Sequence, residues 1–220
     1  MNAGVPLRRR LLVEYLRTTV GVRDERVLAA MATVPREVFV PPSLFPQAYD
    51  DYPLEIGEGQ TISQPSVVAR MLELAAVGER DRVLEIGAGS GYQAAVLACL
   101  ARFVFSLERL PRLAETARAR LAQLGFRNVS IQVMDGTLGW RAQAPFDAIV
   151  VAAAAPAVPP ALKEQLVDGG RLVVPVGDLR RQELLLFVRR GDGFEQSAHG
   201  PATFVPLVGK GGFPDGSTAG

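Results

Sequence analysis

Cysteine and histidine are almost absent from this chain: its 220 residues carry one of each, Cys99 and His199. A lone cysteine excludes an internal disulfide framework and a cysteine-built zinc site. A lone histidine leaves too little for a multi-histidine metal centre or a histidine-based triad. An excess of one charge is missing too, since 24 Lys and Arg stand against 23 Asp and Glu, a net charge of +1. That balance gives no electrostatic footprint for nucleic acid or for an anionic membrane surface. Long apolar runs are also lacking, and the longest, Ala148 to Ala155, is too short to span a bilayer. After the basic start Leu7-Arg8-Arg9-Arg10 no sustained apolar stretch precedes Glu14, so no secretory leader is expected and a cytoplasmic location is. Chemistry is left to carboxylates, hydroxyls, backbone amides or a cofactor.

What is present fits one globular domain with a short N-terminal addition: 48% of the residues are hydrophobic and 21% charged. From about Leu7 to Val40 the pattern is helical, with Gly21 between two helices. Residues 44 to 65 carry aromatics, glycines and prolines without clear period and read as loop, with at most a short strand. Pro65 suits the first turn of a helix whose apolar face is Val67, Val68, Met71, Leu72 and Leu74. Short apolar runs follow at Val83-Ile86, Phe103-Leu107, Val129-Val133, Ala148-Val151 and Leu172-Val176. Helical segments near 91–100, 110–124 and 158–167 lie between them. The alternation predicts βαβ units and a parallel sheet covered on both faces. Glu183 to Arg189 follows without a helix, so an antiparallel hairpin turning at Gly191-Asp192-Gly193 is expected to close the sheet.

The run Glu85-Ile86-Gly87-Ala88-Gly89-Ser90-Gly91 is a strand end, a glycine loop and a helix start. Such a loop lets backbone approach a nucleotide at the carboxyl edge of a sheet. The G-x-G-x-G spacing is one residue shorter than a dinucleotide fingerprint and matches S-adenosylmethionine-dependent methyltransferases. A plain strand-to-helix turn is the alternative. Glu108 ends the second strand, where a carboxylate can accept both ribose hydroxyls, or pair with Arg109 at the surface. Asp135-Gly136 ends the third, where it can flank an adenine or form an Asx turn. Three acidic groups at three successive strand ends favour a bound cofactor. Upstream, Gly59-Gln60-Thr61-Ile62-Ser63-Gln64-Pro65 is neither amphipathic nor a simple turn, and polar loops of this kind are more often sites than connectors.

Together these residues resemble the protein-L-isoaspartate(D-aspartate) O-methyltransferase family. The likeness runs from about Arg8 to Leu207 through Val34-Pro35-Arg36-Glu37-Val38-Phe39-Val40-Pro41, the Thr61-Ile62-Ser63-Gln64-Pro65 run and the glycine loop. It continues through Asp135-Gly136, Asp168-Gly169-Gly170-Arg171 and Phe204-Val205-Pro206-Leu207. It implies an α/β, doubly wound, seven-stranded Rossmann-like sheet with an N-terminal helical addition, and an unusual order at its last two strands. The expected division is 1–64 for the N-terminal helices and active-site loop, 65–208 for the cofactor-binding core, and 209–220 for a flexible tail.

The resemblance also implies an activity: methyl transfer from S-adenosylmethionine to the free α-carboxylate of isoaspartyl residues in damaged proteins and peptides, with repair through a succinimide. It makes Ser63 the active-site serine, with Thr61 and Val205 beside the bound peptide. Ile62, Gln64 and Pro65 fold across the cofactor, Glu85, Gly87, Gly89 and Gly91 cradle its methionine side, Glu108 meets the ribose, and Asp135 with Gly136 the adenine. A carboxylate acceptor is already ionised at neutral pH and needs no general base. Ser63 is then an orienting group, not a nucleophile, although a loop serine can also serve only its own backbone. Val68, Ala152, Thr203 and Val208 depart from residues common in the family and bear on peptide preference. A monomer is expected, with no nucleic-acid, membrane or metal partner. Cys99 is expected in the core and His199 in a solvent-facing turn. Two other functions fit: methylation of a specific aspartate in a partner, and a non-catalytic cofactor-binding module.

Overall fold

The computed structural model describes residues 5–217. Helix α1 (Val5–Tyr15) runs into a π turn, Leu16–Val20, and stops at Gly21, whose φ of 83° carries the left-handed turn. Asp24 caps α2 (Glu25–Thr33) by accepting the Arg26 N–H at 2.9 Å. Two 3-10 turns, Arg36–Phe39 and Pro42–Gln47, lead on to a hairpin of β1 (Leu54–Gly57) and β2 (Gln60–Ile62). Glu58 and Gly59, at φ 54° and 67°, make its turn, the backbone twist that two-residue hairpin loops favour. The segment expected as loop with at most a short strand therefore contains a two-stranded sheet, and three of the seven residues of the Gly59–Pro65 run are strand.

Pro65 opens α3 (Pro65–Ala75), where its missing N–H costs nothing. The remaining elements alternate: β3 (Arg82–Ile86), α4 (Tyr92–Ala98), β4 (Phe103–Glu108), α5 (Pro111–Gln123), β5 (Val129–Val133) and β6 (Phe146–Val151). A short α6 (Pro160–Glu164) precedes β7 (Leu166–Gly177), β8 (Gln182–Arg190) and β9 (Gly193–Ala202). Helix α6 starts later than expected because Pro159 precedes Pro160 and is held extended, with ψ 123°. The seven-stranded sheet has the order β5-β4-β3-β6-β7-β8-β9. The first five neighbours pair in parallel, and β8 alone runs antiparallel to β7 and β9. The last strands thus follow in plain chain order through hairpins.

Alternate residues along the strands face two apolar layers. Val83, Val104, Ala148, Val150 and Val173 pack with α3, α4 and the N-terminal helices, so the N-terminal segment shares the core of the sheet. Leu84, Ile86, Phe105, Ile149 and Leu172 face the other layer with Phe146 and Leu162. Each fully buried aliphatic side chain is worth about 1.5–3 kcal/mol relative to exposure.

Two placements differ from expectation. Cys99 is exposed, because α4 ends at Ala98 and the helical face projected onto position 99 is no longer continued. His199 lies within β9 rather than in a turn, with its ring nitrogen 2.8 Å from Ser197 Oγ. No helix among the described residues is long and apolar enough to cross a membrane.

Candidate active site

The chain runs β3, β4, β5 outward and then returns to lay β6 on the other side of β3. Ligands of open α/β sheets bind where the strand order reverses in this way, outside the carboxyl ends. The cleft is there. It holds about 920 Å³ of space between atoms, its open mouth included. Its floor is tied by the Gly87 N–H to the Leu107 carbonyl at 2.8 Å and by the Ala152 N–H to the Ile86 carbonyl at 2.8 Å.

The glycine loop forms one wall. Gly87, Gly89 and Gly91 have φ of 90°, 51° and 90°, which disfavours any other residue. At Gly91 a Cβ would also lie 3.1 Å from the Ala117 Cβ, so this glycine lets α4 meet α5. Glu108 joins the loop to the next strand end: its carboxylate accepts the Gly89 N–H at 2.8 Å and the Leu110 N–H at 2.9 Å. Carboxylate oxygens have lone pairs left after two such bonds.

Opposite lies the serine run. Thr61, Ile62 and Ser63 line the cleft. The Ser63 carbonyl is held by Arg36 Nη2 at 2.8 Å, whereas its hydroxyl has no hydrogen-bond partner among the described residues. That disposes of a serine occupied with its own backbone. Gln64 and Pro65 are not in the lining; Gln64 Nε2 donates to Asp51 at 3.0 Å. The segment after β9 closes the mouth: Ala154 N–H donates to the Val205 carbonyl at 2.8 Å and Leu207 N–H to the Ala154 carbonyl at 2.7 Å. Val205 lines the cleft in consequence, as do three of the four family departures, Val68, Ala152 and Val208. Thr203 is exposed and outside it.

Glu85 does not line the cleft but lies beneath it, fully buried, accepting from Ser106 Oγ at 2.5 Å. Burial pushes its carboxyl from the ordinary 4.5 up to about 8, against the Ser106 hydrogen bond and with a smaller push from the Glu108 charge. Between those values the native state keeps a proton that the unfolded chain releases. Unfolding then sheds a proton, and stability contributed by this group is lost as pH rises. Glu85→Gln is expected to flatten the fall in melting temperature between pH 4.5 and about 8; an unchanged slope contradicts a buried, protonated Glu85.

Asp135 is not in this lining but borders an adjoining hollow with Arg109, Val133, Met134, Val208 and Lys210. One oxygen accepts the Thr137 N–H at 2.9 Å and the Thr137 hydroxyl at 2.7 Å, forming an Asx-type turn, and the other accepts the Lys210 N–H at 2.9 Å. Burial works to raise its pKa, but these hydrogen bonds outweigh it and hold the carboxyl below the usual range. Gly136 does line the cleft, and a Cβ there would come 2.4 Å from Ile86 Cγ2. The tail expected to be flexible is fastened here. Beyond the Lys210 contact, the Gly211 N–H donates to Thr137 Oγ1 at 3.0 Å and Phe213 N–H to the Leu207 carbonyl at 2.8 Å. Ser217 reaches the cleft, and positions 218–220 fall outside the described residues.

Sequence reasoning missed Gln93. It lines the cleft and is 6% exposed; its amide atoms make no hydrogen bond of normal geometry, though they lie close enough to the Glu85 carboxyl to work against the rise in its pKa. The signal was available: one polar side chain in the apolar first turn of α4, between Tyr92 and Ala94. A buried amide without a well-formed hydrogen bond fits a site that takes a polar ligand.

A glycine loop at the switch point, a carboxylate at the next strand end and an open cleft between them define a Rossmann-like methyltransferase. Residues 7–212 match the model of the family described as protein-L-isoaspartate(D-aspartate) O-methyltransferase. Protein-L-isoaspartate O-methyltransferase 2 of Marinobacter nauticus is 54% identical over 94% of this chain and 95% of its own length. A solved protein-L-isoaspartate O-methyltransferase superposes with a TM-score of 0.83 at 32% identity, over 93% of this chain and 67% of that one. A Plasmodium falciparum structure of the same described activity, solved with S-adenosyl-L-homocysteine, shares the fold, with a TM-score of 0.81 at 24% identity over 91% and 98% of the two chains. This chain belongs to the protein-L-isoaspartate(D-aspartate) O-methyltransferase family.

Proposed function

We propose that the protein transfers the methyl group of S-adenosylmethionine to the free α-carboxylate of L-isoaspartyl, and D-aspartyl, residues in damaged proteins and peptides, initiating repair through a succinimide. The observation that carries this is the unpaired Ser63 hydroxyl, on a backbone held by Arg36 and lining one cleft with the glycine loop. Bound there, the cofactor supplies an electrophilic methyl on its sulfonium, so the protein has to position rather than activate.

The residues fit that cofactor. Gly87 and Gly89 expose backbone to the cleft, Glu108 has lone pairs to spare for ribose hydroxyls, and Gln93 places an amide in the lining. Gly136 supports the adenine side by its compact backbone. Ile62 is a buried part of the lining, while Gln64, Pro65, Glu85 and Gly91 act from behind the wall, shaping the loops that touch the ligand, and Asp135 borders the adjoining hollow. Thr61 and Val205 border the peptide on this reading. The substrate carboxylate is ionised at neutral pH without assistance. Ser63 therefore donates a hydrogen bond that aims one carboxylate oxygen, and orientation provides most of the rate.

The same reading has the protein act as a monomer in the cytoplasm, without nucleic-acid or membrane partners. A net charge of +1 and a free, exposed Cys99, suited to a reducing compartment, support it. Methyl incorporation into an isoaspartyl peptide and its aspartyl twin tests the activity. Labelling confined to the isoaspartyl peptide is expected. Labelling of neither sinks the proposal, and equal labelling favours a family member acting on ordinary aspartate.

A further inference from the structure

Arg36 is fully buried, with no carboxylate within ion-pair distance among the described residues. Its Nε donates to the Ala48 carbonyl at 2.8 Å and its Nη2 to the Ser63 carbonyl at 2.8 Å, while Nη1 has no partner. The guanidinium carbon stands 4.8 Å from the centre of the Tyr92 ring, and Tyr92 is the first residue of α4 after the glycine loop. One side chain therefore touches the serine wall and the cofactor wall together.

An isolated buried cation is costly, and an apolar residue of similar volume would serve core stability as well or better. What an apolar residue cannot do is bind two carbonyls at once in a fixed plane, which the guanidinium fork does. Asp51 completes the grip from the other side of the serine. Its carboxylate accepts the Ser66 N–H at 2.8 Å and Gln64 Nε2 at 3.0 Å. Ahead of Ser63, Ile62 is paired with Leu54 in the hairpin. Backbone is held before, at and after Ser63, and only the hydroxyl is left open.

We propose that Arg36, with Asp51, is a positioning residue of the methyl transfer: it fixes the Ser63 backbone so that the hydroxyl aims the substrate carboxylate. The inference rests on the reading of Ser63 above. It predicts a loss confined to the step that depends on aim, because misplacement of a reacting group by about 1 Å can cost about a hundredfold in rate.

The test is a double-mutant cycle with Ser63→Ala, read as kcat, KM for an isoaspartyl peptide and Kd for S-adenosyl-L-homocysteine. Arg36→Met is expected to lower kcat at least tenfold with KM and Kd within about threefold, and Arg36→Lys to recover part of the loss. In the Ser63→Ala background the Arg36 substitutions should change kcat less than about twofold, since the hydroxyl they place has gone. Full additivity in the cycle, or a lowered melting temperature with kcat intact, overturns the proposal. If Arg36→Met does not fold, Arg36→Lys and Asp51→Ala carry the same cycle, and additivity there overturns it equally. A wild-type protein inactive on the isoaspartyl peptide refutes the proposed function instead, and full activity in Ser63→Ala refutes the role of the serine.

Discussion

Ser63→Ala is expected to lower kcat on an isoaspartyl peptide by about 10- to 100-fold while leaving the Kd for S-adenosyl-L-homocysteine within about twofold. The size follows from the interaction lost: a hydrogen bond to a charged group is worth about 1.5–3 kcal/mol, and each 1.4 kcal/mol is about tenfold. The selectivity follows from position. The hydroxyl has no protein partner to strand, so its removal leaves no unsatisfied atom, and the Ser63 carbonyl remains on Arg36. Cofactor affinity collapsing with kcat would make the serine a strut of the cofactor wall. Unchanged kcat would remove it from the reaction.

Glu108→Ala is expected to do the reverse, raising that Kd by about 100-fold or more. The carboxylate is 7% exposed and accepts the Gly89 and Leu110 amides, so its loss releases the glycine loop and the following strand end together. Two charge-assisted hydrogen bonds disappear, and with them the proposed ribose contact, each worth about 1.5–3 kcal/mol. Isothermal titration with S-adenosyl-L-homocysteine reads the result. A Kd within threefold of wild type would mean that Glu108 only braces the loop and does not meet the cofactor; the surface pair with Arg109 does not form, because Arg109 pairs with Asp215 at 3.4 Å.

Sequence periodicity was enough to locate the five parallel strands of the large sheet, because β-strands buried on both faces read as short apolar runs between helices, whereas β9 was implied only as the second arm of the closing hairpin. The glycine loop and Glu108 were legible for the same local reason: turn chemistry and strand ends are written in adjacent residues. What escaped depends on residues far apart in the chain. Asp51 reaches Gln64 and Ser66, and Arg36 reaches Ser63, across separations no period reveals. The β1–β2 hairpin was hidden by its short strands and by Glu58 at positive φ, where asparagine or glycine is the usual signal. Cys99 was misplaced because a helical face was extended one residue past the helix. In the tail, the glycines at positions 209 and 211 sit close against Asp135 and Thr137, where side chains would not fit easily.

Asp135 carries both of the readings that its position in the sequence allows. Family resemblance put it at the adenine, yet here its oxygens serve Thr137 and the Lys210 amide. The Asx turn offered as the alternative is what the backbone adopts, while the carboxylate still borders a hollow that adjoins the cleft through Arg109 and Val208.

The central claim is that the cleft accepts a damaged peptide carboxylate and not an ordinary one. One measurement addresses it most directly: equal amounts of an isoaspartyl peptide and its aspartyl twin, incubated together with enzyme and S-adenosylmethionine, with both followed by mass. Methyl ester and then succinimide are expected from the isoaspartyl peptide alone. Methylation of both at similar rates, or of the aspartyl peptide first, would contradict the account.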